Sequence, residues 1–134
     1  MPGEVLITRR STFAAGHVLR RDDWDDERNR EVFGACSTEH GHNYVLEVSV
    51  SGAVGPTGMV VNLKDLDRIV RDRVVADVDH RHLNRDVDWL AGMLPTAENL
   101  VLAIWRRLDG CVDGARLERV RLIETENNSA EVRR

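Results

Sequence analysis

The chain has 134 residues, with 19 lysines and arginines against 23 aspartates and glutamates, and a net charge of −4. This balance argues against a protein that binds nucleic acid non-specifically, and no apolar run approaches the ~20 residues of a membrane span. The length fits a single domain over residues 1–134. Two cysteines are too few for a disulfide scaffold, and the N-terminus lacks the apolar core of a signal peptide, so we expect a cytoplasmic location and reduced thiols.

Alternating apolar residues predict a first strand over residues 4–18. One face of this strand carries Val5, Ile7, Phe13, Ala15 and His17. Arg9 and Ser11 interrupt that face, which predicts a bend or a bulge. His17 ends the face, and taken alone it fits a hydrogen-bonded core histidine as well as a metal ligand. The charge-dense residues 19–35 predict a solvated loop or short helix, pinned by Trp24 and Val32–Phe33.

A thiol, a carboxylate and two imidazoles follow within seven residues, at Cys36, Glu39, His40 and His42. A second strand is predicted over residues 42–52, and Tyr44, Leu46, Val48 and Val50 have the parity of the two histidines. Because side chains alternate between faces of a strand, both imidazoles point toward the apolar, covered side. Two neutral imidazoles at this spacing can chelate a metal such as zinc. The alternative is a pair of hydrogen-bonded histidines without a ligand. His17 in a similar setting favours a three-nitrogen site with one open position.

Two helices are predicted after a glycine-rich turn. Asn62 is the expected N-cap of the first, and Leu63, Leu66, Val70, Val74 and Val78 form its apolar face. The second opens at Pro95–Asn99, with Thr96 as N-cap and Glu98 in the first turn. Residues 85–94 are a loop whose apolar side chains pack on the body.

Asp79 and His80 lie where the first helix ends. An aspartate next to a histidine is not expected to orient that ring by adjacency, yet both can face a pocket at a helix end. A carboxylate there makes the imidazole a better proton shuttle. The alternative is a polar helix terminus, with His80 as a favourable C-terminal cation.

A third strand is predicted over residues 115–126 and a short last strand over 128–133. Val120, Leu122 and Glu124 share one face of the third strand. A carboxylate that continues an apolar face needs a partner, and it can anchor a planar ligand with paired N–H donors. Alternatively, the strand has reached solvent by Glu124, as Glu126 suggests.

The element order ββααββ predicts an α+β fold, a four-stranded antiparallel sheet with two helices on one face. The other face then needs a cover, which makes the chain a candidate oligomer.

Seven segments, in this order, resemble the 6-pyruvoyltetrahydropterin synthase/6-carboxytetrahydropterin synthase family. They are residues 13–17 (FAAGH), 33–36 (FGAC), 40–44 (HGHNY), 57–60 (TGMV), 79–84 (DHRHLN), 95–99 (PTAEN) and 124–125 (ET). The resemblance covers almost the whole chain. It implies the tunnelling fold (T-fold), with trimeric barrels that stack as a homohexamer.

The resemblance also implies a zinc-dependent lyase, acting on carbon–oxygen and carbon–carbon bonds of 7,8-dihydroneopterin triphosphate. It implies zinc on His17, His40 and His42. The remaining implied roles are proton transfer by Cys36, Asp79 and His80, and pterin binding by Glu124, Thr96 and Glu98.

Three products are compatible with the resemblance. The three residues between Cys36 and His40 resemble bacterial enzymes that make 6-carboxytetrahydropterin for queuosine and deazapurines, and this is our first expectation. Residues 59–63 and 124–128 resemble the 6-pyruvoyl type. Glu39 resembles a glutamate that cleaves the side chain to 6-hydroxymethyl-dihydropterin for folate; alternatively, it is a solvated loop residue. A non-enzyme alternative is a zinc-stabilised oligomer that binds a pterin or purine.

Overall fold

The computed structural model describes residues 3–134, which form one five-stranded sheet with helices packed on one face. The sheet order is β3-β1-β2-β4-β5. The strands are β1 Glu4–His17, β2 His40–Ala53, β3 Arg81–His82, β4 Arg116–Thr125 and β5 Asn128–Arg133. The helices are α1 Asp26–Phe33, α2 Leu63–Val70, α3 Ala76–Val78 and α4 Ala97–Leu108. The α+β class is therefore confirmed, although the predicted four strands omitted β3, a two-residue strand parallel to β1.

The pairing of β1 with β2 places the histidines opposite one another. It is antiparallel and unbroken from Glu4 opposite Ala53 to His17 opposite His40. The bulge predicted in β1 is therefore wrong. The half-buried Arg9 stays in the strand because its guanidinium meets the Asp67 carboxylate of α2 at 3.1 Å.

The sheet face predicted to be apolar forms the core. Tyr44, Leu46, Val48 and Val50 are all at most 1% exposed, which confirms the alternation along β2. The irregularity lies instead in β4, where Leu117 pairs with Val50 and Arg119 with Ser49, leaving Glu118 as an extra residue. Because of this bulge, Leu117 is buried as well as Val120 and Leu122.

Two N-caps define the helix starts as expected. The side chain of Asn62 accepts a hydrogen bond from Lys64 N at 2.9 Å, and that of Thr96 accepts one from Asn99 N at 3.2 Å. Each cap satisfies a backbone N–H that has no partner within its helix. The first residue of α4 therefore lies immediately after the Pro95–Thr96 segment, which reaches the histidines described below.

The first predicted helix is divided into α2, a π-helical turn over Arg71–Val75, and α3. Leu66, Val70, Val74 and Val78 are buried at intervals of four. Four residues exceed one α-helical turn of 3.6 residues, and the wider π turn compensates for that excess. Leu63, predicted on the same face, is 47% exposed where the helix begins, so that assignment is wrong.

The charged segment before Cys36 forms α1 and a 3-10 turn, Gly34–Ser37. The Trp24 and Phe33 rings stack at 5.9 Å between centroids, and the Arg28 guanidinium lies 4.0 Å from the Trp24 centroid. Val32 is 56% exposed and does not pin the segment. The buried Asn29 does so instead, since its side chain accepts from Arg21 N and donates to three carbonyl oxygens.

The second sheet face is polar. Thr8 and Ser49 hydroxyls lie 2.7 Å apart, and Arg121 donates to Glu47 at 3.3 Å. Leu6, which shares this face with Thr8, is 53% exposed. The face is therefore mixed rather than uniformly apolar, and the expectation of an oligomer rests on the family resemblance. Within residues 3–134, no helix combines the length and apolar character that crossing a bilayer requires.

Candidate metal centre and neighbouring cleft

Three histidines converge at the end of the β1–β2 pair. His17 is the last residue of β1, while His40 and His42 begin β2. One nitrogen from each ring lies within 4.8 Å of the other two. The ring centroids are 4.5 to 5.1 Å apart. The strand register therefore assembles three nitrogen ligands from positions that are distant in sequence.

For two of these rings, those of His17 and His40, a backbone carbonyl determines which nitrogen is left free to bind a metal. His17 Nδ1 lies 2.8 Å from Pro95 O, and His40 Nδ1 lies 2.7 Å from Thr38 O. Because a carbonyl oxygen only accepts, both Nδ1 atoms carry the hydrogen and both Nε2 atoms present a lone pair. In the described residues, Nε2 of His17, His40 and His42 is buried without a hydrogen-bond partner. Converging lone pairs without a donor fit a bound cation, and the carbonyls orient the ligands.

The surroundings keep His17 neutral. It is 1% exposed, and burial lowers its pKa from 6.5 to about 4, with the other histidines adding to the effect. A neutral imidazole is the form that binds a metal.

Acid should destabilise the metal-free protein through His17. The unfolded residue takes up a proton near pH 6.5, whereas the folded one does so only near pH 4. The free energy of unfolding should therefore be fully present above pH 6.5 and fall toward pH 4 by up to about 3 kcal/mol. Urea unfolding of chelator-treated protein across this range measures the fall. His17→Gln should flatten it; equal falls in both proteins would contradict the assignment.

Glu124 points into the same centre from β4. Its Oε1 lies 3.9 Å from His42 Nε2, and its side chain is 17% exposed. The strand has therefore not reached solvent at Glu124. Tyr44 OH is also buried without a hydrogen-bond partner in residues 3–134. Burial raises the pKa of the Tyr44 hydroxyl, and the Glu124 charge adds to that rise. Sequence reasoning counted Tyr44 only as an apolar side chain, although a buried tyrosine hydroxyl signals a polar partner.

Asp79 and His80 are hydrogen-bonded to the backbone of β1. Ala14 N donates to Asp79 Oδ1 at 3.0 Å, and His80 N donates to Ala14 O at 2.6 Å. The Ala14 amide holds the pKa of the Asp79 carboxyl below its ordinary value, with His80 adding to the effect. His80 has a φ of 60°, and its Nδ1 lies 3.0 Å from Asp79 Oδ1. The expectation that adjacency cannot orient this ring is wrong, because the left-handed backbone at His80 turns the ring back toward Asp79.

A cleft of about 570 Å³ lies between His80 and His42, one of the three histidines of the centre. Both His42 and His80 line it, together with His82 and the backbone of 14–16. The side chain of His80 is 83% exposed. One ligand in this cleft can thus contact His42 of the centre and the exposed imidazole of His80 together.

Cys36 is placed in the 3-10 turn that precedes His40. Leu19 N donates to Cys36 O at 2.8 Å, which fixes the backbone of the turn. The thiol is half-buried, forms no hydrogen bond within residues 3–134, and is not among the residues that line the cleft. Cys36 therefore does not share the cleft that His80 lines.

The other predicted site residues surround the centre. Thr96 follows Pro95, whose carbonyl holds His17, whereas Glu98 is exposed in the first turn of α4. Glu39 forms an ion pair with Arg85, and its Oε1 lies 3.6 Å from His82 Nε2. Glu39 therefore forms an ion pair at the surface, with its side chain 62% exposed. Sequence reasoning did not single out His82, whose spacing two residues after His80 was the available signal.

The five-stranded sheet with its helices, and the three converging imidazoles beside a carboxylate, make this an α+β protein with a candidate mononuclear metal centre. The family model described as 6-pyruvoyl tetrahydropterin synthase matches residues 6–134, and the chain belongs to this family. The resemblance inferred from the seven segments is thus confirmed.

Individual relatives are similar over nearly their whole length. A 6-pyruvoyl tetrahydrobiopterin synthase of Dictyostelium discoideum is 41% identical over 96% of this chain and 95% of its own length. A putative 6-carboxy-5,6,7,8-tetrahydropterin synthase of Archaeoglobus fulgidus is 42% identical over the full length of both. The solved Caenorhabditis elegans 6-pyruvoyl tetrahydropterin synthase matches with a TM-score of 0.88 and 33% identity, covering 98% of this chain and 96% of that one.

Proposed function

We propose that this chain is a zinc-dependent lyase that converts 7,8-dihydroneopterin triphosphate to 6-carboxy-5,6,7,8-tetrahydropterin. The observation that carries the proposal is the convergence of three imidazoles whose Nε2 atoms are buried without a hydrogen-bond partner in the described residues, one of which, His42, shares a cleft with His80. Family membership supplies the class of substrate, and the similarity to the Archaeoglobus fulgidus relative supports the 6-carboxy product.

The metal would be held by His17, His40 and His42. Three neutral nitrogens with an open fourth position suit zinc. A bound zinc ion acts as a Lewis acid toward a substrate oxygen.

Proton transfer is assigned to His80, Asp79 and Cys36. In the proposal, His80 Nδ1 donates to the anionic Asp79, which leaves Nε2 free to take up or release a proton in the cleft. Cys36 Sγ takes a proton from the substrate as a thiolate. Because Cys36 does not line the cleft of a single chain, the complete site would need a rearrangement or a second copy. We propose the homohexamer on the basis of the family resemblance.

Glu124 is assigned to the pterin ring, with Thr96 and Glu98 beside it. Glu124→Gln should weaken pterin binding by roughly 1–3 kcal/mol, because the amide can accept only one of two parallel N–H bonds and loses the charge. Calorimetric titration with neopterin measures this change. Glu126→Gln, at an exposed position in the following turn, is the matched control. Equal affinities for the Glu124 variant and the unmodified protein would exclude the anchoring role.

Two other products follow from specific observations. The Dictyostelium discoideum relative favours a 6-pyruvoyl product. The position of Glu39, beside His40 and 3.6 Å from His82, favours side-chain cleavage to 6-hydroxymethyl-dihydropterin.

A product assay tests the proposal. Zinc-loaded protein is incubated with 7,8-dihydroneopterin triphosphate, and the pterins are identified by mass. We expect 6-carboxytetrahydropterin together with acetaldehyde. If either of the other two products forms, the chain is still a lyase of this family, but the proposed 6-carboxy reaction is wrong. Tight binding without any turnover would instead support a zinc-stabilised pterin-binding oligomer.

A further inference from the structure

His82 is a fourth imidazole beside the centre. Its Nε2 atom is a hydrogen-bond donor, whereas the Nε2 atoms of His17 and His40 present lone pairs. Asn84 N donates to His82 Nδ1 at 3.3 Å. A ring nitrogen that accepts a hydrogen bond carries no hydrogen, so the neutral ring bears its hydrogen on Nε2. This Nε2 is buried and has no hydrogen-bond partner in the described residues. An N–H group is not a metal ligand, so His82 is not a fourth ligand of the centre.

The backbone holds this donor in place. His82 lies on β3 opposite Gly16, next to the residue that supplies the first ligand. His82 N donates to Asp86 Oδ2 at 2.9 Å, and Leu83 N donates to Gly16 O at 2.8 Å. The side chain is 19% exposed and lines the cleft with His42 and His80. The donor is therefore fixed where a ligand of the metal centre would lie.

Within residues 3–134, no group accepts the Nε2 hydrogen. Glu39 Oε1, at 3.6 Å, is beyond hydrogen-bond distance, and Glu39 is paired with Arg85. A buried donor without a partner is unfavourable. An oxygen atom of a ligand in the cleft would supply the acceptor that this donor lacks.

We infer that His82 is a substrate-binding residue, whose Nε2–H donates a hydrogen bond to an oxygen atom of the pterin substrate. This inference rests on the proposed function. The oxygen belongs to the hydroxylated side chain or to the triphosphate, since both are acceptors. The three lone pairs of the centre take a cation, whereas His82 takes an oxygen of the same ligand. His82 therefore helps to select substrates that place an oxygen atom within hydrogen-bond reach of Nε2 when they occupy the cleft.

His82→Phe removes the donor and retains a planar ring, while His82→Gln retains a donor. Zinc-loaded proteins are titrated calorimetrically with neopterin triphosphate and with neopterin, oxidised analogues chosen so that the ligand is not consumed. We expect the phenylalanine variant to bind neopterin triphosphate roughly 5- to 10-fold more weakly, and the glutamine variant to bind more tightly than the phenylalanine variant. A loss that is also seen with neopterin assigns the oxygen to the side chain, and a loss confined to the triphosphate assigns it to the phosphates.

The controls separate this inference from the proposed function. Zinc content should be the same in both variants; loss of zinc from the phenylalanine variant alone would make His82 a ligand and overturn the inference. Unchanged affinity in that variant would overturn the inference and leave the proposed function intact. Failure of the unmodified protein to bind either compound would overturn both.

A further measurement follows His82 in the unmodified protein, and a variant serves only to assign its signal. Nuclear magnetic resonance with ¹⁵N-labelled histidine reports which ring nitrogen of each imidazole bears hydrogen, and His82→Gln assigns the signal of His82. We expect hydrogen on Nε2 of His82 and a shift of its resonance when neopterin triphosphate binds. An Nε2 without hydrogen, or a resonance unaffected by the ligand, would overturn the inference.

Discussion

Alanine in place of His42 should reduce the bound metal from roughly one ion per chain to almost none, and turnover should be lost with it. One ring nitrogen from each of the three histidines lies within 4.8 Å of the other two. Removing one leaves two nitrogens in a buried setting, which no longer complete a three-ligand centre. Elemental analysis after dialysis gives the metal content, and the product assay gives turnover.

His80→Ala is the matched control, since its imidazole is 83% exposed at the other side of the same cleft. This variant should keep its metal and lose turnover. A His42→Ala protein that retains metal and activity would refute the three-histidine centre. Loss of metal from the His80 variant would extend the centre beyond the three rings.

Replacement of Cys36 by alanine should lower turnover at least ~100-fold while pterin binding remains unchanged, because a positioned proton-transfer group contributes about that factor. The half-buried thiol forms no hydrogen bond within residues 3–134, so its removal should cost little stability. Steady-state kinetics and titration with neopterin measure the two quantities separately.

The chain contains its own control for this substitution. Cys111, equally half-buried, donates to Arg107 O at 3.4 Å beyond the end of α4. Cys111→Ala should turn over normally. If the Cys36 variant is as active as the Cys111 variant, then another group takes the proton. Absence of turnover in every form, with binding intact, would favour the binding oligomer.

Patterns of period two predicted the sheet well. The alternation that continues from His42 to Val50 places the apolar side chains of β2 in the core and puts His40 and His42 on the same side, although Ser49 on the opposite face is buried as well. Helix capping also depends on residues close together in sequence, so Asn62 and Thr96 were predicted correctly as N-caps. Convergence of His17 with this pair was predicted from shared apolar faces, and the register of β1 with β2 explains it.

Features that depend on partners distant in sequence could not be predicted from local sequence patterns. Arg9 interrupts an apolar face, and only the position of Asp67 shows why no bulge is needed. The contact of His80 with Asp79 depends on a left-handed backbone held by Ala14. The hydrogen on His82 is assigned by the Asn84 amide, two residues away in a turn that sequence patterns do not define.

The unbroken alignment of β1 with β2 has a consequence for folding. His17 lies opposite His40, and Ala15 lies opposite His42. A slip of β1 by one residue would turn His17 to the other side of the sheet, since successive side chains alternate. An ion held by the three rings therefore stabilises one alignment of the two strands and no other, to an extent that grows with the free ion concentration. Metal binding would thus favour the correct alignment of β1 with β2 before any substrate is bound.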